Sequence, residues 1–146
     1  MTKELKERLS GNRNIALALD ISGGMPGHSV SKFLKEFSKA VPKAATVRMW
    51  CFDHDVRNPK TFTPPVLDLI PSYVYPLAGG GTNIDANWKF MQEKQIRPDI
   101  LVVFTDGMFQ PPPPYYYNYC QVLWVLIGFG AHWPGMPFGD SIVFEF

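Results

Sequence analysis

The sequence has little of what usually announces a function. Cysteine occurs twice in 146 residues, as Cys51 and Cys120, with no Cys-x-x-Cys or Cys/His spacing. That excludes thiolate zinc sites and the dense disulfide frameworks of small secreted domains. Cys51 sits in an apolar run and reads as a buried free thiol. Neither sign of charge dominates, since 14 Lys and Arg face 13 Asp and Glu for a net charge of +1. Nothing therefore directs the chain to nucleic acid or to a membrane surface. No stretch approaches the roughly 18 apolar residues of a membrane span. The charged opening MTKELKERLSGNRN also lacks the apolar core of a secretory signal, so a cytoplasmic protein is expected. HExxH, GxSxG and P-loop patterns are missing, and no Asp-x-Asp follows the first apolar run. The commonest signatures of hydrolytic and phosphoryl chemistry are thus lacking.

What is present is an ordinary globular composition, 46% hydrophobic and 18% charged, in a length that suits one domain. The expected organisation is an N-terminal helical extension over residues 1–13 and a single domain over 14–146. Residues 2–9 read as a short helix with Leu5 and Leu9 on one face. Continuous apolar runs at 15–19, 47–52, 100–105 and 122–127 read as buried strands, and 142–146 as a fifth. Val30, Phe33, Leu34, Phe37 and Val41 fall at helical spacing, with Lys32, Lys35, Glu36 and Lys39 on the solvated side. A third helix is expected over 84–94, capped by Asn83. Residues 55–77 are turn-laden and supply at most short edge strands, around 61–63 and 73–75. This order predicts an α/β fold, an open doubly wound and mostly parallel sheet with helices on both faces and one short antiparallel edge strand.

Three oxygen-bearing loops stand at the ends of buried segments. IALALDISGG places Asp20 and Ser22 past the first strand, ILVVFTDG places Asp106 past another, and GGGTN places Thr82 before a helix. Ligands of open α/β sheets bind outside the carboxyl ends of the strands. The three loops are therefore expected on one rim. Carboxylates and hydroxyls are hard ligands, suited to Mg²⁺, Mn²⁺ or Ca²⁺.

DISGG, GGGTN and FTDG, in this order, resemble the metal-ion-dependent adhesion site of von Willebrand factor type A (VWA) domains, and FDHDVR resembles that family's strand end. The resemblance covers roughly residues 14–146. It implies a Rossmann-like fold and metal ligation by Asp20, Ser22, Thr82 and Asp106. It also implies a protein-binding module in which a partner's carboxylate completes the metal's shell, with AAA+ ATPases of the MoxR or chelatase type as candidate partners. The departure is Gly24, which stands where the family carries a second serine. One coordination position is then left vacant or to water, which Mg²⁺ tolerates.

Other polar groups have two readings each. Asp53, His54 and Asp55 form either a solvated turn or a rim that meets a partner or a second metal. Asp85 reads as a helix-start carboxylate, and His28 as a helix-start residue or a neighbour of the first loop. His132 with Trp133 lies in an aromatic loop with no assigned role. FQPPPPYYYNYCQ, residues 109–121, takes the place of a crossover helix. It is either a partner-docking segment, PPPY matching a WW-ligand pattern, or a rigid cover whose tyrosines lie on the sheet. Two further functions compete with the binding module. One is an interaction protein that has lost its metal through Gly24. The other is a metal-assisted hydrolase using Asp20 and Asp106, which would need Asp53, Asp55 or His28 as base; none has a signature, so the chain is read as no enzyme.

Overall fold

The computed structural model describes residues 2–22, 25, 27–73, 81–127 and 136–144. Helix α1 (Thr2–Leu9) leads into strand β1 (Asn14–Asp20), followed by α2 (Gly27–Ala40), β2 (Thr46–Phe52) and β3 (Val56–Phe62). Then come α3 (Asp85–Glu93), β4 (Ile100–Thr105), β5 (Gln121–Leu126) and β6 (Asp140–Val143). The strands form one sheet in the order β3-β2-β1-β4-β5-β6, parallel except for β3, which runs antiparallel to β2. This is the expected α/β architecture. The chain moves outward from β1 to β2 and later returns to β4 on β1's other side. The switch point therefore lies between the carboxyl ends of β1 and β4.

Side-chain alternation on β1 sorts the two cores. Ile15, Leu17 and Leu19 face α1 and α2, where Phe33, Phe37, Leu5 and Leu9 are fully buried. Phe33 stacks on Phe104 with ring centroids 4.2 Å apart. Ala16 and Ala18 face the other way and leave room for Trp50, Trp88 and Trp124. Small residues on the central strand thus accommodate three indoles, as close packing requires.

Two segments depart from expectation. The edge strand spans Val56–Phe62 rather than 61–63, and a 3-10 helix at Val66–Ser72 precedes Tyr73. β3 is irregular: its register against β2 shifts between Met49 and Cys51, and Asn58 has φ 51°. The Tyr73 hydroxyl donates to the Asn58 carbonyl, and Cys51 Sγ lies 3.6 Å from that hydroxyl. This local contact braces the irregular stretch of β3. The expected strand around 73–75 and the end of that at 142–146 fall partly outside the described residues.

No helix crosses between β4 and β5. A 3-10 turn at Pro114–Tyr116 replaces it, and its neighbours cover the sheet with rings. Tyr116 stacks on Trp88, Tyr117 on Phe138, and Phe109 packs on Trp124. The proline-tyrosine segment is therefore a cover. Pro112 is buried and Pro114 enters the turn, so PPPY is not an accessible polyproline helix. Gly139 is needed where the chain returns: at φ 78°, a Cβ there would sit 2.8 Å from the Val122 carbonyl. That approach lets the Phe138 carbonyl accept the Trp124 indole N–H at 3.1 Å.

Candidate metal centre

Asp20 ends β1 fully buried, with both carboxylate oxygens engaged. Oδ1 accepts the Ser22 backbone N–H at 2.9 Å and the Ser22 hydroxyl at 2.6 Å. Oδ2 accepts the Thr105 hydroxyl at 2.6 Å. Thr105, also fully buried, closes β4 and accepts the Gly107 N–H at 3.0 Å. Burial pushes the Asp20 carboxyl above its ordinary value; the hydrogen bonds from Ser22 and Thr105 oppose this, and the charge of Asp106 adds to it. Asp106 is half-buried one residue past β4, and one of its oxygens accepts the Met108 N–H at 3.0 Å. Two carboxylates thus share the switch point.

Thr82 is half-buried on the loop before α3. Its neighbour Asn83 donates its N–H to the Asp53 carbonyl at 2.8 Å, which ties this loop to the carboxyl end of β2. The Asn83 side chain accepts the Asp85 N–H at 3.2 Å, an Asx turn at the helix start. β1 and β2 are joined on the same rim by the Ile21 N–H to the Phe52 carbonyl at 2.9 Å. The structure therefore links Asp20, Ser22 and Thr105 by hydrogen bonds, sets Asp106 within electrostatic reach, and places Thr82 on the rim they share. Gly24, the first two glycines of GGGTN, and His132 with Trp133 lie outside the described residues.

The Asp53 cluster differs from a simple solvated turn. Asp53 is only 2% exposed, and its carboxylate accepts the Asp55 N–H at 3.1 Å and Arg57 Nε at 3.1 and 3.2 Å. Desolvation raises its pKa, but the Asp55 N–H, the Arg57 guanidinium and His54 outweigh that and hold it below the ordinary value. Its partners identify Asp53 as the brace of the β2–β3 turn. His54 and Asp55 are exposed, as the turn reading expects. In the first turn of α2, Ser29 Oγ is buried and has no hydrogen-bond partner among the described residues. Neither it nor Thr105 was singled out by sequence. Thr105 carried a signal in retrospect, a hydroxyl ending an otherwise apolar strand beside Asp106.

The donor chemistry fits a hard divalent cation. A hydroxyl whose proton goes to a carboxylate, as in Ser22, keeps lone pairs for a metal. Two adjacent carboxylates in a partly desolvated site repel each other unless a cation compensates. Among the described residues no group of three or more His, Cys, Asp or Glu side chains is gathered to hold a metal. Any such site here would be built from mixed carboxylate and hydroxyl oxygens. No helix among the described residues is long and apolar enough to cross a membrane.

No curated protein matches the chain. The sequence model of a family described as VWA-like domain (DUF2201) matches residues 15–145, nearly the whole chain. With the parallel sheet and its single antiparallel edge strand in agreement, the chain belongs to this VWA-like domain family.

Proposed function

We propose that the chain is a metal-ion-dependent protein-binding module. Asp20, Ser22, Thr82 and Asp106 would hold Mg²⁺, or Mn²⁺ or Ca²⁺, and a partner protein would supply a carboxylate to it; AAA+ ATPases of the MoxR or chelatase type are candidate partners. The observation that carries this reading is the buried Asp20 carboxylate, which accepts two hydroxyl hydrogen bonds and stands beside Asp106, with no cationic side chain among the described residues bonded to it. The cation would supply positive charge at the rim and a Lewis-acidic point for the incoming carboxylate. Ser22 and Thr105 orient Asp20, and Asp106 adds the second negative charge. A hydrolase is disfavoured because Asp53, one of the bases it would need, is bonded to Arg57.

Calorimetric titration with Mg²⁺ and Mn²⁺, on the native chain and on Asp106→Ala, tests the proposal. Saturable heat in the native chain that the variant loses supports it. No heat from the native chain would leave the alternative, a metal-independent interaction protein with a degenerate site.

A further inference from the structure

α3 is short and ends at Glu93, near the β2–β3 edge of the sheet. There the strand pair β2–β3 and the end of α3 enclose a hollow of about 360 Å³. Trp50, Phe90 and Ile96 form its apolar wall, and Phe90 packs against the buried Trp50 at 5.0 Å. All its titratable liners are cations: Arg48, Lys60 and Lys94. Among the described residues no carboxylate lies within 4.0 Å of Arg48 or Lys60, and Lys94 meets only Glu93, at 4.0 Å. Arg48 is half-buried on the strand.

This hollow continues into a second one of about 520 Å³ through the shared residues Pro59 and Phe90. The second is electrically mixed, with Asp55 and Glu93 against Lys89 and His54, and it reaches the rim at Asn83. Together they form an elongated trough between β3 and α3, basic and aromatic at one end and of mixed charge at the other. Edge pairing is not the use of this side. Pro59 lacks an N–H, and Asn58 breaks the extended backbone of β3.

We propose that this trough binds an extended acidic segment of a partner protein, whose carboxylates meet Arg48, Lys60 and Lys94 while an apolar side chain rests on Phe90. The elongated shape favours a peptide over a compact anion, and the titratable liners of the first hollow, all cations, set the sign of its charge there. The inference does not depend on the metal.

The test is fluorescence anisotropy with a labelled peptide rich in Glu and Phe, in chelator so that metal plays no part. The probe should bind the native chain, more weakly as salt rises. Arg48→Glu with Lys60→Glu should weaken binding by about tenfold or more. Lys60→Glu with Lys94→Glu, both exposed, gives the same reading if the first pair fails to fold. Reversal of Lys35 and Lys39 on the distant exposed face of α2 should leave affinity unchanged. Undetectable binding by the native chain, equal loss from the α2 pair, or displacement by tripolyphosphate at lower concentration than by unlabelled peptide would overturn the proposal.

Discussion

Thr105 Oγ1 donates to Asp20 Oδ2 at 2.6 Å while accepting the Gly107 N–H, so the end of β4 positions the buried carboxylate at the end of β1. Thr105→Val keeps the shape but leaves that oxygen unpaired in a buried setting. The expected loss is about 1–3 kcal/mol of stability, read as a lower urea midpoint, and Thr105→Ser should recover most of it. An unchanged midpoint in the valine variant would show that the contact does not hold the two strand ends.

In the proposed metal site, Gly24 stands where the resemblance to the adhesion-site pattern calls for a second serine. Gly24→Ser should tighten Mg²⁺ by about tenfold, equivalent to about 1.4 kcal/mol, because one more hard oxygen enters the shell. Calorimetry reads the change. Equal affinities would mean that this position does not contribute a ligand.

Asp53 makes stability depend on pH with a definite sign. Its folded pKa is below the ordinary value of 3.8. It therefore contributes stability above the unfolded pKa that is lost as pH falls through the folded one. The native chain should lose urea resistance below about pH 4 more steeply than Asp53→Asn, the two curves converging at the acid end. Parallel curves would remove Asp53 from the acid transition.

Neighbouring tyrosines should behave oppositely. Tyr116 is 3% exposed against Trp88, whereas Tyr115 is 74% exposed. Tyr116→Ala should cost about 3–5 kcal/mol, the range for truncating a buried aromatic, and Tyr115→Ala within about 0.5 kcal/mol of none. Denaturant unfolding distinguishes them, and similar losses from both would contradict the cover role of this segment.

Burial pushes the thiols of Cys51 and Cys120 up to about 11. Both are free. Native protein at pH 8 should therefore react slowly with a thiol-specific disulfide reagent and quickly once unfolded. Rapid reaction of the native chain would show that these sites open readily.

Continuous apolar runs such as 15–19 and 100–105 carried the strands, and the 3.6-residue spacing of Val30, Phe33, Leu34 and Phe37 carried α2. These are local patterns that one face of a strand or helix must satisfy to be buried. The same logic placed Asp20, Ser22, Thr82 and Asp106 at the ends of elements. Only the tertiary structure decided which oxygens meet, because the Asp20–Thr105 bond joins residues 85 apart in sequence. It also decided that Asp53 is a buried brace, that β3 is long but bulged, and that Tyr116 covers a sheet beside Trp88. Each depends on strand order and on side chains brought from distant segments, and neither periodicity nor composition encodes those contacts.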